Sequence, residues 1–473
     1  MEERYAAVAE EADPMQTQLA VIGAGPGGYV AAIRAAQRGA KVCLIEKDRV
    51  GGVCLNRGCI PTKTLAAAAE LYARLRRASE YGLAVEGIGI EMERVIHRKD
   101  EVVKRLAGGV EYLLKKKGVR LLRGAARFLS PRELLVAGPE GETRIEAERI
   151  VIAAGTVPAA PAVFGYDGCL VITSDEALNL TALPEKVVIA GGGAIGCEFA
   201  SIYRAFGAEV AVVEMLPRLL PTLDAELGKA LASSFKKRGI EVHTGRKVEE
   251  VEKTGDSVTM RLESGEVLSA DLVLLAIGRK TAVEGLDLER AGLVVDPRGR
   301  IPVNRELRTA VPHIYAIGDI NDQPYDLAHA ASSQGLAVAE SLFGPGRAYE
   351  DGAMPSCVFT DPEIASVGLS DEEAAAKGFP VKIGKFPYLA NGRALAMGEP
   401  DGWVKVVAEE GTGRILGVHI FGAHASDLVA EATLAVRHGL TAGELAETIH
   451  AHPTLAETLP EAAEGVFGLS IHV

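Results

Sequence analysis

The sequence is short of aromatic side chains, of cysteine and of basic charge. Aromatics are 5% of the residues, with one tryptophan, while the chain holds 53 glycines and is rich in Ala, Val, Ile and Leu. Small and branched apolar residues punctuated by glycine are the composition of an α/β protein. Six cysteines in 473 residues exclude a secreted disulfide scaffold. Cys43, Cys169, Cys197 and Cys357 stand singly in apolar surroundings and are expected to be buried thiols. The formal charge of −13 works against nucleic acid or an anionic membrane as a partner, since both would repel it. A basic protein partner would instead be steered in.

Long hydrophobic runs are also missing. The longest charge-free apolar stretch, 150–166, contains Gly155, Pro158, Pro161 and Gly165, which would break a spanning helix, so no transmembrane segment is expected. Met1 to Asp13 carries five acidic residues and has neither the basic nor the apolar part of a secretory signal. The expected location is the cytoplasm, with 1–14 a flexible acidic extension. A chain of 473 residues exceeds one hydrophobic core, which implies two to four domains.

What is present is one unit written twice. The first copy runs Leu19-Ala-Val-Ile, Gly23-Ala-Gly25-Pro-Gly-Gly28, a helical segment from Tyr29 to Arg38, then Lys41-Val-Cys-Leu-Ile-Glu46. The second runs Val187-Val-Ile-Ala, Gly191-Gly-Gly193-Ala-Ile-Gly196, a helical segment to Phe206, then Glu209-Val-Ala-Val-Val-Glu214. In both, the acid lies 23 positions after the first glycine (Gly23 to Glu46, Gly191 to Glu214). A lone G-x-G-x-x-G is weak, but strand, turn, helix, strand and acid together give it meaning. The first glycine permits the tight turn, the second lets a pyrophosphate approach, and the third lets helix pack on strand. The helix N-terminus then offers N–H groups to the phosphates. Glu46 and Glu214 are placed to accept from ribose hydroxyls. An acid at the second site repels the 2′-phosphate of NADP and so favours NAD. Two dinucleotide sites imply two cofactors, and a flavin with a nicotinamide is the pair expected.

Between the copies lies Gly51-Gly-Val-Cys54-Leu-Asn-Arg-Gly-Cys59-Ile-Pro-Thr-Lys63, leading into a helix through Ala66 to Ala69. Cysteines five apart can bridge, and in a reducing compartment such a pair is more often catalytic than structural. Two packed thiols are the alternative on spacing alone; the preceding dinucleotide fold favours the redox reading. Thiolates, not thiols, attack disulfides, so the pair needs a proton acceptor. His450-Ala-His452-Pro-Thr-Leu-Ala-Glu457 offers one, with Glu457 able to hold the His452 imidazole in one tautomer. A metal site on His-x-His lacks further ligands at suitable spacing, so no metal is expected; an ordinary loop histidine remains the competing reading.

With these motifs in order, and with Ala153-Ala-Gly155-Thr-Val-Pro158, Ala276-Ile-Gly278-Arg279, Tyr315-Ala-Ile-Gly-Asp319 and Phe359-Thr-Asp-Pro-Glu363 between and after them, the chain resembles the pyridine nucleotide–disulfide oxidoreductases from about Gln18 to Phe467. The resemblance implies an α/β fold with two Rossmann-like domains, for FAD and NAD, plus a C-terminal α+β dimerisation domain. The implied boundaries are 15–157 for the first part of the FAD domain, 158–278 for the NAD domain, 279–352 for a central segment completing the FAD side, and 353–473 for the interface domain. It implies that Gly23, Gly25, Gly28, Glu46, Gly155 and Asp319 serve FAD, and that Gly191, Gly193, Gly196, Glu214 and Gly278 serve NAD. Lys63 would sit beside the flavin and pair with Glu198. Cys59 would face the flavin and Cys54 the substrate, and His452, oriented by Glu457, would be the base supplied by the partner subunit of a homodimer.

Within the family, a chain ending Gly468-Leu-Ser-Ile-His-Val473 lacks the extra cysteine pair of mercuric reductases and large thioredoxin reductases, and Glu214 stands where NADPH-linked glutathione-type reductases carry basic residues. The expected activity is oxidation of a dihydrolipoyl group, carried on an acyltransferase or glycine-cleavage carrier protein, with NAD⁺ as acceptor. The alternatives are an NADH-dependent reductase of another low-molecular-weight disulfide, or a subunit that serves mainly to dock on a multienzyme core. Four positions depart from the family pattern, namely Ala154, Ala282, Gln334 and Ala456, and none removes a redox group. Arg57, between the two cysteines, is either a cation that favours a thiolate or a solvent-facing side chain.

Overall fold

The computed structural model describes residues 13–473, so all but the end of the expected acidic extension lies outside the described residues. The chain divides into two compact units, each gathered from three stretches. The first takes the described residues up to Asn56, Lys104–Val157 and Lys280–Tyr349; the second takes Arg57–Val103, Pro158–Arg279 and Glu350–Val473.

The sheet of the first unit is built on the strand Met15–Ile22, whose run Leu19 to Ile22 is buried. It pairs in parallel with Val42–Glu46 on one side and with Gly141–Ile152 on the other. Arg120–Arg123 and Ile314–Ala316 extend the parallel part, and Ala125–Phe128 and Glu133–Gly138 add an antiparallel flank. Uninterrupted apolar runs suit a parallel strand covered on both faces. The helices Pro26–Gln37 and Ala328–Phe343 cross closely: a Cβ on Gly335 would lie 2.4 Å from the Gly27 carbonyl oxygen. Glu340 ties the two helices further along, accepting from Arg34 at 2.5 Å and pairing with Arg38 at 2.9 Å.

The second unit repeats the theme. Its five-stranded parallel sheet runs Ile240–Thr244, Glu209–Glu214, Lys186–Ala190, Leu272–Leu275, Val171–Thr173, and a three-stranded antiparallel sheet follows from Val248–Thr254 to Val267–Ala270. The helices Ala194–Phe206, Ala225–Lys237 and Cys59–Arg76 share the core on this sheet, through Phe199, Tyr203, Phe235 and Leu65. The last stretch forms an antiparallel sheet of Ser356–Val358, Ile364–Gly368, Ile415–Phe421, Trp403–Glu409 and Val381–Pro387, backed by the helices Ala425–His438 and Thr458–Gly465 around its own core. No helix among the described residues is long and apolar enough to cross a membrane.

Inside this unit Lys405 is wholly buried. Its ammonium lies 3.0 Å from Asp224, 2.9 Å from Glu226 and 2.6 Å from Asp371, joining the start of the helix Ala225–Lys237 to the antiparallel sheet. Burial pulls the Lys405 pKa down, but the hydrogen bonds of Asp371, Glu226 and Asp224 push it up by more, so it stays charged. Removing one member of a buried ionic cluster leaves the others uncompensated. Lys405→Met is therefore expected to cost about 3–5 kcal/mol in denaturant unfolding; a loss under about 1 kcal/mol would mean that water replaces the lysine.

Candidate active site

The two glycine turns are superimposable in their chemistry. Gly23 and Gly191 have φ of +101° and +111°, and a Cβ on either would strike the carbonyl oxygen of Ala153 or Ala276 at 2.3 or 2.2 Å. A Cβ on Gly28 would lie 1.9 Å from Gly23 O, and one on Gly196 would lie 2.0 Å from Gly191 O. These four glycines are demanded by the fold. Gly25 and Gly193 are different. Each caps its helix in an extended conformation open to any residue, with φ −71° and −77°, and a Cβ would meet only Gly52 Cα at 3.9 Å in the first case and nothing within 4 Å in the second. What a side chain there would fill is open space at a helix N-terminus, the cradle a pyrophosphate needs.

The two acids match as well. Glu46 Oε2 accepts from Ala24 N–H at 2.7 Å and its Oε1 from Asp48 N–H at 2.8 Å; Glu214 Oε2 accepts from Gly192 N–H at 2.7 Å and its Oε1 from Leu216 N–H at 2.7 Å. Each carboxylate is thereby fixed beside its glycine turn, and each oxygen keeps a lone pair for a ribose hydroxyl. In the first unit Asp319 accepts from Thr156 Oγ1 at 3.3 Å, next to Gly155, and Gln334 holds the turn before it by accepting from Gly318 N–H at 2.7 Å and Asn321 Nδ2 at 2.9 Å. Gly278, φ +126°, accepts from Ala159 N–H in the second unit, and a Cβ there too would meet nothing within 4 Å. The glycine and acid positions expected for FAD and for NAD therefore each fit a dinucleotide.

Cys54 lies in the short helix Gly52–Arg57 and Cys59 opens the helix Cys59–Arg76; both are half-buried. The loop before them is held by Asn56, which donates to Val50 O at 3.0 Å and Gly52 O at 2.9 Å. At the first position of its helix, with no acidic residue in the first turn, Cys59 sits where unpaired N–H groups favour negative charge. Lys63 is four residues on, hence on the same helix face. Its ammonium donates to both oxygens of buried Glu198, at 2.8 and 2.7 Å. Arg57 is half-exposed with Asp175 at 3.9 Å, so its charge is shared with a carboxylate.

The histidine dyad is formed. His452 Nδ1 is 2.9 Å from Glu457 Oε1, while Glu457 Oε2 accepts from Thr454 N–H at 2.8 Å. A carboxylate only accepts, so Nδ1 carries the proton and Nε2 presents a lone pair. The five-residue spacing is explained by this double duty, since Glu457 caps the turn Leu455–Glu457 and orients the ring at once. Burial would raise the Glu457 carboxyl, but the Thr454 N–H and His452 outweigh it and hold it below the usual range. His452 is itself 81% exposed. The side chain of His450, by contrast, is only 7% exposed, with its nitrogens facing Thr448 O at 2.7 Å and Glu431 at 2.9 Å.

Of the four single cysteines, Cys43 and Cys197 are buried and Cys357 half-buried. Burial pushes the Cys43 thiol up to about 12 and that of Cys357 to about 11. Cys169 departs from expectation and is exposed. It stands in a turn where Asp167 Oδ1 accepts the N–H groups of Cys169, Leu170 and Val171, and this carboxylate-bound loop faces solvent. Phe359, given no role from sequence, touches both Lys63 and Glu198.

Two nucleotide cradles, a cysteine pair between them in sequence and an oriented histidine define an oxidoreductase that acts on sulfur. The chain belongs to the pyridine nucleotide–disulphide oxidoreductases: residues 17–335 match that family and 354–463 its dimerisation domain. It is 45% identical over 463 residues to a dihydrolipoyl dehydrogenase of Thermus scotoductus, covering 96% of this chain and 98% of that one. It is 42% identical to one of Bacillus subtilis, with 96% and 98% covered. Among solved structures, LpdA of Mycobacterium tuberculosis superposes with a TM-score of 0.89 at 28% identity, covering 95% of this chain and 99% of that one. The HOCl-induced flavoprotein disulfide reductase RclA of Escherichia coli gives 0.85 at 29%, with 94% and 99% covered.

Because a Cβ at Gly193 meets nothing, Gly193→Val is expected to leave the melting temperature unchanged while raising the KM for NAD⁺ by about tenfold or more, as blocked phosphate contacts require. An unchanged KM would remove the nucleotide from this turn. Glu457→Gln can satisfy only one of its two donors. Its turnover should fall about 10²-fold, with the KM for NAD⁺ little altered. The depressed Glu457 carboxyl contributes stability above the ordinary pKa of about 4.3, lost as pH falls through its folded value. The variant should therefore show a shallower decline in stability on acidification.

Proposed function

We propose that this chain is a dihydrolipoyl dehydrogenase, oxidising dihydrolipoyl groups on a carrier protein to the cyclic disulfide with NAD⁺ as final acceptor. The observation that carries this reading is Glu214, a fixed carboxylate at the end of the second fold's strand, where a 2′-phosphate would be repelled. Similarity over nearly the whole chain to proteins of that name supports it. The domain boundaries proposed are 15–157, 158–278, 279–352 and 353–473.

Gly23, Gly25, Gly28, Glu46, Gly155 and Asp319 would hold FAD, and Gly191, Gly193, Gly196, Glu214 and Gly278 would hold NAD. When bound, FAD supplies a two-electron relay between a dithiol and a nicotinamide. The chain's own residues handle the sulfur chemistry. His452 Nε2 takes the proton of one substrate thiol, and Glu457 stabilises the imidazolium. The substrate thiolate attacks Cys54 Sγ in the Cys54–Cys59 disulfide. A mixed disulfide forms as the Cys54–Cys59 bond breaks, and Cys59 leaves as a thiolate favoured by its helix N-terminus. His452 passes the first proton to solvent and takes that of the second substrate thiol. The resulting thiolate attacks the substrate sulfur of the mixed disulfide, closing the substrate ring and freeing Cys54, which the imidazolium protonates, so that the electron pair rests on the two cysteines. Lys63, held by Glu198, provides the positive charge on the Cys59 helix face.

The exposure of His452 in a single chain fits a base that serves the partner subunit of a homodimer. A thiol substrate requires a reducing compartment, so the site of action is the cytoplasm. Steady-state assay of the purified holoenzyme should give turnover with dihydrolipoamide and NAD⁺ at least about 10²-fold above that with glutathione disulfide and NADPH, a discrimination within the reach of one repelled phosphate. Faster turnover with the second pair would overturn the reading. Cys59→Ser should assemble as a dimer and lose turnover.

A further inference from the structure

The Lys63–Glu198 pair has a third member. The ammonium of Lys63 lies 4.5 Å from the centroid of the Phe359 ring, and the backbone N–H of Phe359 donates to Glu198 Oε1 at 3.0 Å. One residue thus meets the cation with its ring and the anion with its main chain. Two of the ammonium's donors point at Glu198, and the negative face of the ring covers a further side.

The backbone is held on both sides of Phe359. Preceding Phe359 is the strand Ser356–Val358, paired with Ile364–Gly368. Following it, Asp361 N–H donates to Ser201 Oγ at 3.3 Å. Glu198 and Ser201 are three apart on the helix Ala194–Phe206, so one face of the nucleotide-binding helix grips residues 359 and 361. Thr360 Oγ1 donates to Pro362 O at 2.6 Å and stiffens the turn. Lys63, in contrast, carries a long flexible stem and is 30% exposed. At that exposure an ion pair alone holds a lysine loosely, since solvent screens it and the stem has an outward path.

We infer that Phe359 is a positioning residue for the redox reaction: its ring closes the outward path of Lys63 and, by its quadrupole, holds the ammonium fixed against Glu198. The inference rests on the reading above, in which Lys63 supplies positive charge on the face of the helix that begins at Cys59. A merely space-filling phenylalanine would leave that charge indifferent to the electron density of the ring.

The test is a graded one on the purified holoenzyme. Phe359→Leu removes the aromatic face, Phe359→Trp strengthens it, and mono-, di- and trifluorinated phenylalanine at position 359 withdraw ring density at nearly constant shape. The midpoint potential of the Cys54–Cys59 disulfide, whose reduced form leaves a thiolate on the Lys63 helix, is expected to fall stepwise along the fluorinated series and in Phe359→Leu, and to hold or rise in Phe359→Trp. Turnover in Phe359→Leu should drop about fivefold, with the KM for NAD⁺ changed by less than about twofold, the size of one partly desolvated cation–π contact. A potential that is the same throughout the fluorinated series overturns the inference, even if Phe359→Leu fails to fold. A wild-type enzyme that binds flavin but does not oxidise dihydrolipoamide would defeat the proposed substrate and still leave the potential series readable. A chain in which Cys54 and Cys59 form no disulfide would overturn both.

Discussion

Everything at the two nucleotide cradles depends on bringing a helix N-terminus against a strand end with no side chain between them. Gly28 over Gly23 and Gly196 over Gly191 are packed so closely that a single Cβ would overlap a carbonyl oxygen. That approach aligns the first N–H groups of each helix with the open space beside Gly25 and Gly193. It also brings the next strand's terminal acid within reach of the turn's own amides, so Glu46 and Glu214 are oriented by the same backbone that a pyrophosphate would meet. A dinucleotide site is then a consequence of packing, and the pair of sites a consequence of writing the packing twice.

The sulfur chemistry uses the same economy of shared groups. Glu457 caps a turn and fixes a tautomer, Glu198 anchors both Lys63 and the Phe359 backbone, and the helix that begins at Cys59 carries Lys63 one turn later. Glu457 and Glu198 each join a contact to a side chain with a proposed chemical role to a contact with a backbone N–H. That coupling keeps flexible groups in place at sites too exposed for a single ion pair to do so.

Local spacing made much of this legible in the sequence. The two glycine turns and their acids, the cysteine pair and the His452–Glu457 dyad all lie within one or two adjoining elements, where residue counting tracks geometry. Lys63 and Glu198 are separated by 135 positions and meet only in the folded unit, so they could be paired from sequence only through the family resemblance. Phe359 stood in the sequence only as the first residue of a family motif, with no role, because its contacts run through a backbone N–H and a ring face, neither of which leaves a pattern. Lys405 lies in a strand buried throughout its middle and had no role in the sequence, because the three carboxylates that close on it, Asp224, Glu226 and Asp371, are distant along the chain. Cys169 was misread because its apolar neighbours conceal a turn organised by Asp167.

On this mechanism each chain would store electrons on a cysteine pair as well as on a dinucleotide. Anaerobic reductive titration of the purified holoenzyme should then show uptake of two electron pairs per chain, one in the disulfide and one in the flavin, falling to one in Cys59→Ser. Uptake of a single pair by the unaltered enzyme would contradict it.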